Sequence, residues 1–247
     1  MGPKTRTDAA IESRGNRTGM ATSPVDGAQM LEAANEIPLD AEAALDFDDA
    51  RRDFAAAAPE PVGSMPPPAT LKGAGKKLLQ ALQGNQANVL LDKMGERLAF
   101  ERTGARLYEA LMAKVDTWEG SGGPTHTDLD DFRSEELTHF DLLRRHLERL
   151  GADPTVQTPC ADLAGVAALG VMQVVTDPRT TLAQGLGAIL TAELTDTAGW
   201  ELLARLAREV GETDMASEFE AALAAEEEHV AKVKDWLQAM VLAQAGA

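Results

Sequence analysis

The sequence predicts an all-α protein built on four long helices, and three observations predict it. Apolar residues recur at alternating steps of three and four over four separate stretches, the period of a helix with one buried face. The stretches are joined by two short links and one long one, a wiring used by helical bundles. Composition changes near residue 85, from a proline-rich leader to a chain of sustained helical texture.

The leader, residues 1–85, is a Pro/Ala-rich acidic segment expected to be largely disordered. Eight of the 12 prolines lie in it, including Pro59, Pro61 and Pro66-Pro67-Pro68, and its only aromatic side chains are Phe47 and Phe54. So little apolar surface does not offset the entropy of ordering the chain. Short helices are allowed around 40–54 and 71–83. The first mixes Asp46, Asp48, Asp49 and Asp53 with Leu45, Phe47 and Phe54, which reads first as a solvated linker and second as a docking segment.

Residues 86–247 carry the bundle. The first stripe runs Leu91, Met94, Leu98, Glu101, Ala105, Tyr108, Met112 and Val115, and the second Leu129, Phe132, Glu136, His139, Leu143, His146 and Leu150. The third is Leu182, Leu186, Ile189, Glu193, Trp200, Leu203 and Ala207; the fourth is Met215, Phe219, Ala222, Glu226, His229, Val233, Trp236 and Met240. Gly120-Ser121-Gly122-Gly123-Pro124 ends the first helix, and Gly211 separates the third from the fourth. Both links suit antiparallel hairpins. The 28 residues from Gly151 to Pro178 are enough to travel back along the bundle, with a short helix at roughly 161–175. The expected architecture is two antiparallel helical hairpins joined by one long crossover.

Charge and cysteine usage exclude several function classes. A net charge of -17 argues against nucleic acid as a partner, because phosphate contacts need a basic face. No apolar run approaches the ~18 residues of a membrane span, and no apolar core follows the N-terminal charges as a secretory signal would require. Cys160 is the single cysteine, so a disulfide framework, a CxxC motif and a cysteine-ligated metal site are excluded within one chain. These features lead to the expectation of a cytoplasmic protein with no nucleic-acid or membrane partner.

The informative residues break the apolar stripes. Glu101, Glu136, Glu193 and Glu226 each sit on the buried face of a different helix. His139 and His229 follow two of them by three residues, so each Glu-x-x-His pair projects from one face. Four buried carboxylates are costly if left ionised and unpaired, whereas two divalent cations balance their charge and two neutral imidazoles complete the donor set. The halves of the chain repeat: Glu101 precedes Glu136 by 35 positions and Glu193 precedes Glu226 by 33, and an aromatic, Tyr108 or Trp200, follows the first glutamate by seven. Glu135 is a candidate to orient a histidine of the other half, with no counterpart at Ala225. His146 reads as a packing histidine, and Glu227 and Glu228 as solvated.

The order Glu…Glu-x-x-His…Glu…Glu-x-x-His resembles the ferritin-like di-iron carboxylate superfamily, in particular its bacterioferritin and rubrerythrin branch, over about residues 88–242. The resemblance implies a ferritin-like four-helix bundle holding two Fe ions, with Mn or Zn occupancy also possible. Glu136 and Glu226 would bridge the metals, Glu101 with His139 and Glu193 with His229 would be terminal ligands, and Tyr108 would lie beside the centre. Leu137 stands where bacterioferritin has its haem-ligating Met, so no haem is expected. Cys160 alone cannot supply a rubredoxin domain, which leaves the electron donor unknown. Asp196 stands where rubrerythrins have an additional glutamate, and its status as a ligand is open.

The activity implied is oxidation of Fe(II) with peroxide or dioxygen, as a ferroxidase or peroxide-reducing oxidoreductase in iron or oxidative-stress handling. The alternatives are non-catalytic iron sequestration or delivery with the leader as a docking tag, and a di-metal oxygenase acting on an organic substrate. A homodimer is expected by the same resemblance.

Overall fold

The computed structural model describes residues 24–36, 41–58, 62–66, 86–118 and 120–246. The chain divides into two compact units, Met1–Pro59 and Glu60–Ala247. All regular structure among the described residues is helical.

The first unit contains α1 (Pro24–Glu36) and α2 (Ala41–Ala57). α2 is the helix expected around 40–54, extended by a few residues. Its Phe47 and Phe54 are 61% and 80% exposed, and Arg51 stacks over the Phe47 ring at 4.6 Å. α1 falls in the leader expected to be largely disordered, and its Val25, Met30 and Leu31 are all more than half exposed. The region 71–83, also expected to allow a helix, lies outside the described residues.

The second unit contains α3 (Gln86–Val115), α4 (His126–Leu150), α5 (Pro159–Thr176), α6 (Leu182–Glu209) and α7 (Thr213–Gly246). It begins ahead of the compositional break, since the segment around Gly63 lies against the start of α5, where a Cβ on Gly63 would sit 3.6 Å from Pro159 Cγ. α3 packs on α4 and α6 on α7 as the two hairpins. The pairs face each other through α3 with α6 and α4 with α7, and α5 lies over α3 and α6.

Threonines fix three of the helix starts. Thr125 and Thr181 accept from the N3 amides of Asp128 and Gln184, whose side chains accept in return from the threonine amides. Thr158 caps α5 with Pro159 behind it at the first helical position, where a missing N–H costs nothing.

The bundle core is in two parts. Leu90, Met94, Leu98, Leu143, Leu147, Trp200, Leu203, Met215 and Phe219 fill one end. Leu107, Tyr108, Leu111, Leu129, Phe132, Leu186, Ile189, Val233 and Met240 fill the other. Between these sets each of the four long helices carries buried ionisable side chains. That layer is the candidate site.

One expectation needs correcting. α5 has 18 residues with a mean hydropathy of 1.4, and by length and composition it is the one helix among the described residues able to cross a membrane. Ala and Gly interleaved with Val and Leu conceal the run, in which Asp162 is the only charge. Ala161 and Val175 are buried against the bundle, while Leu163, Val166 and Leu169 are more than half exposed.

Candidate metal centre

Each bundle helix delivers its polar residues to one level. α3 supplies Glu101, α4 Glu136 and His139, α6 Glu193, and α7 Glu226 and His229. All six are buried, none more than 7% exposed. They are brought there by the stripes themselves, because residues three and four apart on a helix share a face.

Among these six residues two overlapping groups result, and a third joins Glu101, Glu136 and Glu226 with Asp196. Glu136, Glu193, Glu226 and His229 offer ligand atoms that all lie within 4.8 Å of one another, as do Glu101, His139 and Glu226. His139 Nδ1 lies 2.6 Å from Glu226 Oε1 and 3.7 Å from Glu101 Oε2. His229 Nδ1 lies 3.1 Å from Glu226 Oε2, 3.5 Å from Glu193 Oε2 and 3.7 Å from Glu136 Oε1. Glu226 therefore belongs to both groups. A Cβ on Gly104 would overlap Glu136 Oε2, so glycine there makes room for this carboxylate beside α3.

These atoms face one another without hydrogen-bond partners. Both oxygens of Glu101, Glu136 and Glu226, Glu193 Oε2, and Nδ1 of both histidines are buried and unsatisfied. Such atoms cost several kcal/mol together when left so. Carboxylate oxygens with imidazole nitrogens are the donor set of first-row divalent metals, and cations placed among them satisfy every orphan at once. The residues present fit a metal centre.

Electrostatics describe the same strain. Burial pushes the Glu136 carboxyl well above its ordinary range, and Glu101 beside it adds to the shift. Burial also raises Glu193, against the pull of His229. Glu226 goes the other way: burial would raise it, yet the two imidazoles hold it at about 2. Burial opposes charge on His139, but Glu101 and Glu226 lift it to about 9. His229 is raised in the same manner, burial being overridden by Glu136, Glu193 and Glu226. Without metal, protons on the histidines carry part of the compensation that cations would supply.

The surroundings reflect the internal repeat. Tyr108 is fully buried and donates its hydroxyl to Glu193 Oε1 at 2.7 Å, with its ring edge-on to His229 at 6.2 Å. Trp200, its counterpart, stands edge-on to His139 at 5.5 Å. Burial drives the Tyr108 phenol well above its ordinary value, with Glu193 and Glu136 adding to it, so it remains a donor. Glu135 meets His229 Nε2 at 2.5 Å from a half-exposed position. Ala225 offers His139 no equivalent. His146 packs on Phe219 and pairs with Glu218 at 3.1 Å, away from the centre.

Two contributors escaped the sequence reading. Phe132 stacks on His229 with ring centroids 4.0 Å apart. Its place one turn before Glu136 was visible, but a stripe aromatic reads as core. Arg97 is 3% exposed and pairs with Asp196. It lies one turn before Glu101, and arginines at such positions more often extend to solvent.

The Ferritin-like domain family model matches residues 91–243. No curated protein and no solved structure matches the chain. The matched span takes in all six clustered residues and every bundle helix but the first few residues of α3 and the last few of α7, and the chain belongs to the ferritin-like domain family.

Proposed function

We propose that the protein is a di-iron carboxylate protein that oxidises Fe(II) with peroxide or dioxygen. The observation that supports this reading is the set of buried carboxylate and imidazole atoms without hydrogen-bond partners, gathered from four helices in overlapping groups. Two Fe(II) ions held by these residues would supply the two electrons that one molecule of oxidant takes up.

The chain's residues do the rest. Glu101 with His139, and Glu193 with His229, would hold the metals from opposite halves of the chain. Glu226, common to both groups, would serve both, with Glu136 beside it. Glu135 accepts the Nε2 proton of His229, which leaves Nδ1 free as the ligand atom. Tyr108 holds Glu193 by its hydroxyl and is the phenol nearest the reacting region. The apolar layers above and below exclude water from the centre. Reducing equivalents for further turnover come from an external donor.

The test is to load the full chain anaerobically with Fe(II), count iron per chain, and follow near-ultraviolet absorbance on adding peroxide or dioxygen. Two irons per chain that oxidise promptly are expected, the faster oxidant deciding between peroxidase and ferroxidase. Failure to retain iron would overturn the reading, and uptake in large excess of two would replace it with storage.

A further inference from the structure

A fifth carboxylate lies in the polar layer. Asp196 is 1% exposed, and one of its oxygens lies within 4.8 Å of ligand atoms of Glu101, Glu136 and Glu226. It is thus within reach of the metal positions, yet it is already engaged. Arg97 Nη1 donates to Asp196 Oδ1 at 2.5 Å and to the Asp196 carbonyl at 3.1 Å. Arg97 Nε also lies 4.0 Å from Glu101 Oε1.

The fold makes deliberate room for this guanidinium. Its carbon stacks 4.0 Å over the Phe100 ring. On α6, one turn beyond Thr195, a Cβ on Gly199 would overlap Arg97 Nη1, so glycine there leaves the space in which the fork lies. A guanidinium keeps its charge in any such setting. Its placement is also unequal: it stands beside the Glu101 half, and no second arginine stands beside the Glu193 half among the charged pairs of the described residues.

We propose that Arg97 is a positioning residue that withholds Asp196 from the metals and fixes the charge of the centre at that of two divalent cations. With cations bound and the histidines neutral as ligands, five buried carboxylates, all ionised, and one guanidinium would leave a net of four negative charges. Without Arg97 the centre has one negative charge too many and one more oxygen ligand. Without Asp196 it has an uncompensated cation beside Glu101.

This inference rests on the two-cation reading above, and the test separates the two. Co(II) binding to the metal-free full-length protein is measured by titration calorimetry and by the cobalt visible spectrum, for wild type, Asp196→Asn, Arg97→Met and the double variant, alongside melting temperatures of the metal-free forms. Asp196→Asn is expected to weaken one of the two Co(II) equivalents by about tenfold or more, as a unit charge a few ångströms away requires. Arg97→Met is expected to tighten binding or admit a further equivalent, and the double variant to return toward wild type. A purely structural ion pair would instead lower melting temperature and affinity together in both single variants; that result, or no change in either, overturns the inference. Absence of Co(II) binding in wild type would overturn the di-metal reading itself. Should Arg97→Met fail to fold, the near-isosteric Asp196→Asn and the charge-neutral double variant still decide the matter.

Discussion

Glu136 is fully buried, with both oxygens unsatisfied, beside other carboxylates. Replacing it by glutamine removes one charge from a crowded site. Glu136→Gln should therefore raise the melting temperature of the metal-free protein while abolishing stoichiometric loading, a trade between stability and function common at active sites. Thermal scans with and without Fe(II) would show it; an unaltered two-metal load would remove Glu136 from the centre. Gly104→Ala acts on the same carboxylate from behind, since the added Cβ would overlap Oε2. It should cost at least about tenfold in cation affinity, or roughly 1.4 kcal/mol, measurable by the same titration.

At the scale of the element, Thr125 caps α4 with a reciprocal bond to Asp128, 11 residues before Glu136. Thr125→Ala should lower stability by about 1 kcal/mol in denaturant unfolding yet leave cation affinity unchanged; a drop in affinity would show that the centre senses the helix end. The four bundle helices were legible in sequence because each must bury one stripe, and burial forces the spacing. The six clustered residues were legible for the same reason, being charges where that spacing demands apolar groups. α1 was hidden because its few large apolar side chains stay exposed, so no burial forces a stripe long enough to read. The apolarity of α5 was hidden by small residues that raise mean hydropathy without forming an unbroken run of large side chains. Arg97 was hidden by its own length, as an arginine on a stripe can extend its head to water, and its burial, its bond to Asp196 and the glycine facing it show that it does not.

For the whole molecule, stability, protons and metal are linked. Folding raises His139 from 6.5 to about 9, so its contribution to the metal-free protein is full below pH 6.5 and lost as pH rises through about 9. The raised carboxyls of Glu136 and Glu193 act in the same direction, since they ionise against the fold as pH rises. Glu226, held at about 2, gives stability above its ordinary pKa that is lost only as pH falls toward 2. The metal-free melting temperature should thus decline between pH 6.5 and 9. Cations compete with the same protons, so the increment in melting temperature on adding metal should grow over that window. A melting temperature independent of pH across it would contradict these assignments.

The polar layer lies midway between two apolar ends, and its six donors come from four segments spread between Glu101 and His229. A cation bound there acts as a reversible cross-link between distant parts of one chain, as a disulfide does permanently. Cutting the backbone in the crossover between Gly151 and Pro159 would divide the hairpins into two fragments, each carrying one Glu-x-x-His and one further glutamate. Metal should tighten the association of the fragments beyond what their shared apolar core gives, and a chelator should weaken it.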